Sequence, residues 1–179
     1  MELQQAMSLR RSVRGYNGKK VEREKLEDII KAALLAPSWK NSQTSRYYVV
    51  SGEETLSAVK ATLFPYNKAN TELAPVLIVG TVVPNVSGFN SDGTPSNEIG
   101  NGWGYFDCGL QTMNLLLKAT ELGLSTLVMG LRDASKLKSV LNIPVSESVV
   151  GVIAVGYSDI SPEMPPRKSV CEIARFYEK

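Results

Sequence analysis

Apolar residues recur at Leu26, Ile29, Ile30, Ala33 and Leu34 within Glu22–Leu35, the spacing that lays one stripe along a helix. Acids stand early in that stretch and strong helix formers fill the rest, so a helix is expected there. Pro37 lacks an N–H and restricts Ala36, which ends the helix and leaves residues 38–43 as an irregular polar loop. A shorter stripe, Leu3, Met7 and Leu9, predicts a first helix that stops near Arg10. Arg46–Val50 reads as a strand, Glu54–Leu63 as a helix, and Pro75–Val83 as a strand whose unbroken apolar run calls for cover on both faces. Trp103–Leu122 predicts a long helix, apolar around much of its circumference, with Leu110, Met113, Leu117 and Ala119–Leu122 expected in packing. Leu124–Met129 gives a strand, Asp133–Leu141 a short helix opened by Asp133 or Ser135, and Val149–Tyr157 a last long strand. Residues 84–102 are polar and turn-rich, the one linker-like segment, and no internal repeat is visible.

Helices alternating with strands point, on pattern alone, to a doubly wound nucleotide-binding sheet. Its glycine fingerprint is missing, because Gly100-Asn101-Gly102-Trp103-Gly104 has neither the spacing nor a preceding strand. With 179 residues, 43% of them hydrophobic, the chain can bury one sizeable core, and a single domain over 1–179 is expected. A net charge of +2 is too small to argue for nucleic acid. No run reaches the roughly 18 apolar residues of a membrane helix, and the N-terminus lacks a secretory apolar core, so the expected location is cytoplasmic. Cys108 and Cys171 are too far apart for a metal or redox motif and read as reduced thiols. Histidine is absent altogether, which excludes an imidazole triad and makes a catalytic zinc or non-haem iron site improbable. No pair of carboxylates stands out either, so no side chain is singled out as catalytic and no metal ligand is expected. An organic cofactor would fill that vacancy.

Arg10-Arg11-Ser12-Val13-Arg14 places three guanidiniums within five residues. Each planar fork can give two charge-assisted hydrogen bonds to one anion, so the run suits a doubly charged phosphate, although a solvated basic turn has the same composition. The loop Ala36-Pro37-Ser38-Trp39-Lys40-Asn41-Ser42-Gln43 adds amides and hydroxyls able to read the polar edge of a ligand.

Taken in order, RRSVRGY, then APSWKNSQ before an aromatic-rich strand, resembles the nitroreductase family of FMN-dependent enzymes. The resemblance continues in Asn67 ahead of Ala74-Pro75-Val76-Leu77-Ile78-Val79, in the helix from Asp107 to Leu124 with its Glu121-Leu122-Gly123-Leu124 end, and in Gly151–Tyr157 with Pro166-Arg167-Lys168. It spans nearly the whole chain. It departs at Gln43-Thr44-Ser45, where relatives often carry Gln-Pro-Trp, at Ser125-Thr126, and in the polar segment 84–102.

What the resemblance implies is an α+β fold with a central, mainly antiparallel sheet flanked by helices. A C-terminal arm from Ser161 onward would be exchanged in a homodimer with FMN at the subunit interface, although its apolar end could equally dock on its own subunit. Arg10, Arg11 and Ser12, with Arg167 and Lys168, would hold the ribityl phosphate, while Arg14 and Asn67 would face the pyrimidine end of the isoalloxazine. Pro37, Ser38, Trp39 and Asn41 would come from the second subunit, and Met129 and Gly130 would bring backbone against the ring. Trp39 could instead pack on the dimer surface, and Gln111 reads as a structural hydrogen-bonder. The implied reaction is ping-pong hydride transfer from NADH or NADPH through FMN to a nitroaromatic, quinone or related small acceptor. Other flavin chemistry on the same scaffold, reductive dehalogenation or flavin fragmentation, is one alternative. A non-catalytic nucleotide-binding module is the other.

Overall fold

The computed structural model describes residues 1–178. In chain order its elements are α1 (Leu3–Leu9), α2 (Arg23–Leu34), a 3₁₀ turn (Trp39–Asn41), β1 (Ser45–Val50), α3 (Glu53–Ala61), α4 (Pro65–Asn70) and β2 (Val76–Val82). There follow α5 (Gly102–Glu121), β3 (Ser125–Met129), α6 (Ala134–Leu141), β4 (Ser148–Gly156) and α7 (Val170–Ile173). The strands form one sheet in the order β1-β2-β4-β3, and every neighbouring pair is antiparallel. That overturns the doubly wound reading of the alternation and agrees with the α+β fold.

Every residue of β2 is buried, and the pleat sends alternate side chains to opposite sides. Leu77 and Val79 join Leu56, Val59 and Leu137 of α3 and α6 in one cluster. Val76 and Ile78 join Ile29, Ala33, Leu115 and Ala119 of α2 and α5 in the other. The architecture is therefore three layers, with a helix pair on each face of the sheet. Burying each large aliphatic side chain contributes about 1.5–3 kcal/mol, so these two clusters supply most of the driving force.

Local chemistry sets the element ends. Asp133 caps α6 by accepting a hydrogen bond from the Lys136 backbone N–H, and Asn142 closes that helix in the left-handed conformation. The helix expected over 54–63 stops at Ala61, and Pro65 opens a separate short helix as its first residue. Met113, expected in packing, is 39% exposed on the outer face of α5.

Two features place the chain's ends together. Val13 donates its backbone N–H to the Thr126 carbonyl, and Ser12 bridges Thr126 in parallel, which fastens the arginine run beside β3. Beyond β4 the chain doubles back until Ile160 lies directly over Gly15. A Cβ at Gly15 would stand 2.5 Å from the Ile160 Cδ1, so any larger residue there would push the tip of that side chain aside.

Candidate functional site

Arg10, Arg11, Ser12 and Arg14 form one wall of a cleft of about 440 Å³, and Pro162–Arg167 form the other. None of these four arginines has a carboxylate within ion-pair distance among the described residues. Among the described residues Glu163 is the one acid lining the cleft. Carbonyls orient the forks: Arg11 Nη1 donates to Ser8 O at 2.6 Å and Arg10 O at 2.9 Å, Arg14 Nη1 to Ser12 O at 3.3 Å, and Arg167 Nη1 to Pro165 O at 2.9 Å. The Arg11 Nε is buried without a partner. Such a cluster of unneutralised guanidiniums has the charge and the fork geometry to receive a compact anion carrying two negative charges. Lys168 is exposed and does not line the cleft.

A second group sits beyond the end of β3. Asn67 is buried on α4 and donates Nδ2–H to the Leu131 carbonyl at 2.9 Å. Arg132 donates to the Gly130 carbonyl at 2.9 Å and to Val149 O at 2.7 Å. Two successive carbonyls are thus tied inward, and because the peptide is trans the Leu131 N–H points the opposite way. Met129 is buried and Gly130 exposed; a Cβ at Gly130 would meet nothing within 4 Å, so no contact inside the chain demands glycine there.

The third group is the loop after α2. Pro37 and Asn41 are exposed, while Ser38 and Trp39 are half-buried. Trp39 packs on Trp103 with ring centroids 4.7 Å apart, and Trp103 meets Phe106 edge-on at 5.7 Å. Lys40, Asn41 and Gln43 all hold positive φ, 46°, 56° and 50°, without being glycine. Close by, Gln111 accepts from the Tyr47 hydroxyl at 3.2 Å, and burial pushes the Tyr47 pKa up, which keeps that phenol a donor. Gln111 is the structural hydrogen-bonder the sequence led one to expect. Burial likewise raises the Cys108 thiol.

Within one chain the structure brings Arg10, Arg11, Ser12, Arg14 and Arg167 to one cleft. It leaves Pro37–Asn41 and the Asn67–Gly130 group off that cleft's walls. Three residues of this framework were not anticipated. Arg132 carries no motif. Trp103 stands in the sequence as a helix start after a glycine-rich turn, with nothing to mark its packing. Asp107 was hidden in an apolar helix, although a lone acid between Phe106 and Cys108 was the available signal.

Residues 7–157 match the family model described as the nitroreductase family. The chain belongs to the nitroreductase family. Among similar nitroreductases is an Archaeoglobus fulgidus protein provisionally named NADH dehydrogenase/NAD(P)H nitroreductase, 30% identical over 155 residues that cover 83% of this chain and 80% of the relative. The nitrobenzene nitroreductase of Ectopseudomonas oleovorans is 27% identical, with 93% and 92% of the two chains covered. A provisionally named nitroreductase from Exiguobacterium sibiricum, solved in complex with FMN, superposes with a TM-score of 0.87 over 99% of this chain and 98% of its own, at 19% identity. That last likeness shows the shared fold. No helix among the described residues is long and apolar enough to cross a membrane.

Proposed function

We propose that this nitroreductase is an FMN-dependent oxidoreductase that uses NADH or NADPH to reduce small acceptors of the nitroaromatic or quinone kind. The observation that carries the proposal is the cleft where Arg10, Arg11, Arg14 and Arg167 converge without a carboxylate partner among the described residues. Those donors fit the phosphate of FMN in charge and in fork geometry. When bound, FMN would supply two-electron hydride chemistry between a nicotinamide and the acceptor. The chain's own part is to bind, orient and stabilise charge. Arg10, Arg11, Ser12 and Arg167 hold the phosphate. Arg14 offers a cation toward the pyrimidine end, where negative charge develops on reduction. Asn67 fixes the turn that follows β3, so that Met129, Gly130 and the outward Leu131 N–H keep a constant face.

The working unit is a homodimer of single-domain chains, 1–179, in the cytoplasm, with Pro37, Ser38, Trp39 and Asn41 reaching the partner's site. Exposed apolar side chains support this: Tyr105, Phe106 and Met113 share the outer face of α5, and Val170, Ile173, Phe176 and Tyr177 stand free along the arm. An arm docked on its own subunit would have covered them.

An absorbance spectrum of the freshly purified protein, before and after anaerobic NADH or NADPH, tests the reading. Flavin bands that bleach are expected, and turnover with nitrobenzene or a benzoquinone should leave FMN intact. Arg10→Ala should bind FMN roughly ten- to a hundredfold more weakly, the equivalent of one lost charge-assisted interaction. Full yellow occupancy of that variant after desalting would remove Arg10 from the site. Sedimentation should give a dimer, and an FMN-loaded monomer would end the shared-site arrangement.

A further inference from the structure

Asp107 is 3% exposed, yet no cation neutralises it among the described residues. A buried carboxylate is costly unless its hydrogen bonds compensate, so what it bonds to is informative. Its Oδ2 accepts from the Trp39 backbone N–H at 3.0 Å and from the Ser87 hydroxyl at 2.6 Å. Trp39 belongs to the loop after α2, and Ser87 to the polar segment ahead of α5. One oxygen therefore joins two segments that are distant in sequence.

Several independent features converge on the same joint. The Trp39 ring packs on that of Trp103, one turn before Asp107 on α5, and the Trp103 Nε1–H is held by Asn97 Oδ1 at 2.9 Å. Gly88, next to Ser87, has φ of +83°, and a Cβ there would stand 2.6 Å from both the Gly100 carbonyl and Trp103 Cδ1, so the segment cannot lift without losing that fit. The loop itself holds three left-handed non-glycine residues, each costing of order 1–3 kcal/mol, a conformation that persists only where surroundings over-determine it. Without its anchor the loop would relax.

We propose that Asp107 is a positioning residue, its buried carboxylate holding the Trp39 loop and segment 84–103 as one rigid wall in the shape that the FMN site requires. The proposal rests on the FMN reading above, and on the loop's place in that site.

The test measures FMN dissociation from the yellow holoenzyme, by the flavin fluorescence regained on dilution, together with the near-ultraviolet circular dichroism of the two tryptophans. Trp39 and Trp103 are the only tryptophans in the chain, so that signal reports their packing directly. Asp107→Asn should weaken FMN binding about tenfold, the scale of one lost charge-assisted bond, and diminish the coupled indole band. Leu137→Ala, a comparably destabilising core change in the opposite layer, should move neither reading. If Asp107→Asn keeps both readings within about twofold of the parent, or if Leu137→Ala weakens FMN equally, the positioning role is overturned. An Arg10→Ala protein that retains FMN while Asp107→Asn loses it would refute the phosphate clamp and leave the positioning role standing. Should Asp107→Asn fail to fold, Ser87→Ala removes only the hydroxyl donor; about threefold weaker FMN binding is then expected, and no change overturns the proposal.

Discussion

The middle of the sheet and the corner around Trp39 follow opposite rules. In β2 and β4 the ladder is paired on both sides and almost every side chain is apolar and covered. Around Trp39 the backbone is left-handed at three non-glycine residues, and Trp39 Nε1, Ser42 Oγ, Thr44 Oγ1 and Ser45 Oγ are buried without partners. Native proteins leave few such groups unsatisfied, and four within seven residues mark a region shaped for something other than its own stability. The division of labour is clear: the sheet supplies the free energy that the corner spends.

That contrast can be broken by mutation, beginning with the sheet. Leu77→Ala, at a residue with no exposed surface, should cost about 2–5 kcal/mol in denaturant unfolding. A loss below about 1 kcal/mol would mean that the core is looser than its burial implies. Tyr48→Phe deletes a hydroxyl that donates to the buried Glu147 at 2.9 Å, and should cost about 1 kcal/mol. In the corner the sign should reverse. Gln43→Gly relieves a left-handed backbone and should raise stability by up to about 1 kcal/mol while weakening FMN retention. A destabilised Gln43→Gly would show that the loop stores no strain. The smallest effect concerns acid. The Lys136 backbone N–H at the α6 cap holds the Asp133 carboxyl below its ordinary range. Its contribution is present above the unfolded carboxyl pKa and is lost as pH falls through the folded one. Melting curves between pH 7 and pH 3 should therefore show a shallow acid loss that Asp133→Ala lacks.

Much of the fold was legible because burial imposes periodicity. The stripe on α2 and the unbroken run in β2 were each placed within a residue or two. Strand direction was not, since helices interleaved with strands suit parallel and antiparallel sheets alike, and only the family resemblance pointed to the observed one. The helix α4 escaped because Pro-Tyr-Asn-Lys-Ala-Asn shows no apolar stripe, and its existence depends on Pro65 and on contacts with the turn after β3. For the candidate site, the arginine run declared itself by charge density, and Arg167 by the resemblance. Asp107 shows in the sequence only as a lone acid in an apolar helix, and its role stays hidden because its partners lie 68 and 20 residues away. Side chains that act by joining distant segments leave no local pattern.

The pairing of β2 with β4 also bears on how the molecule is made. Val79 finds its partner in Val152, so the innermost pair of strands cannot form until residues 83–147 have left the ribosome. Until then β2 is a seven-residue strip, entirely interior in the finished protein, paired along one edge by β1 and bare along the edge that β4 will take. Contacts of such long sequence separation form slowly and leave nascent chains prone to self-association. Synthesis at reduced temperature, or alongside a holdase, should accordingly raise the yield of soluble protein without altering the folded state.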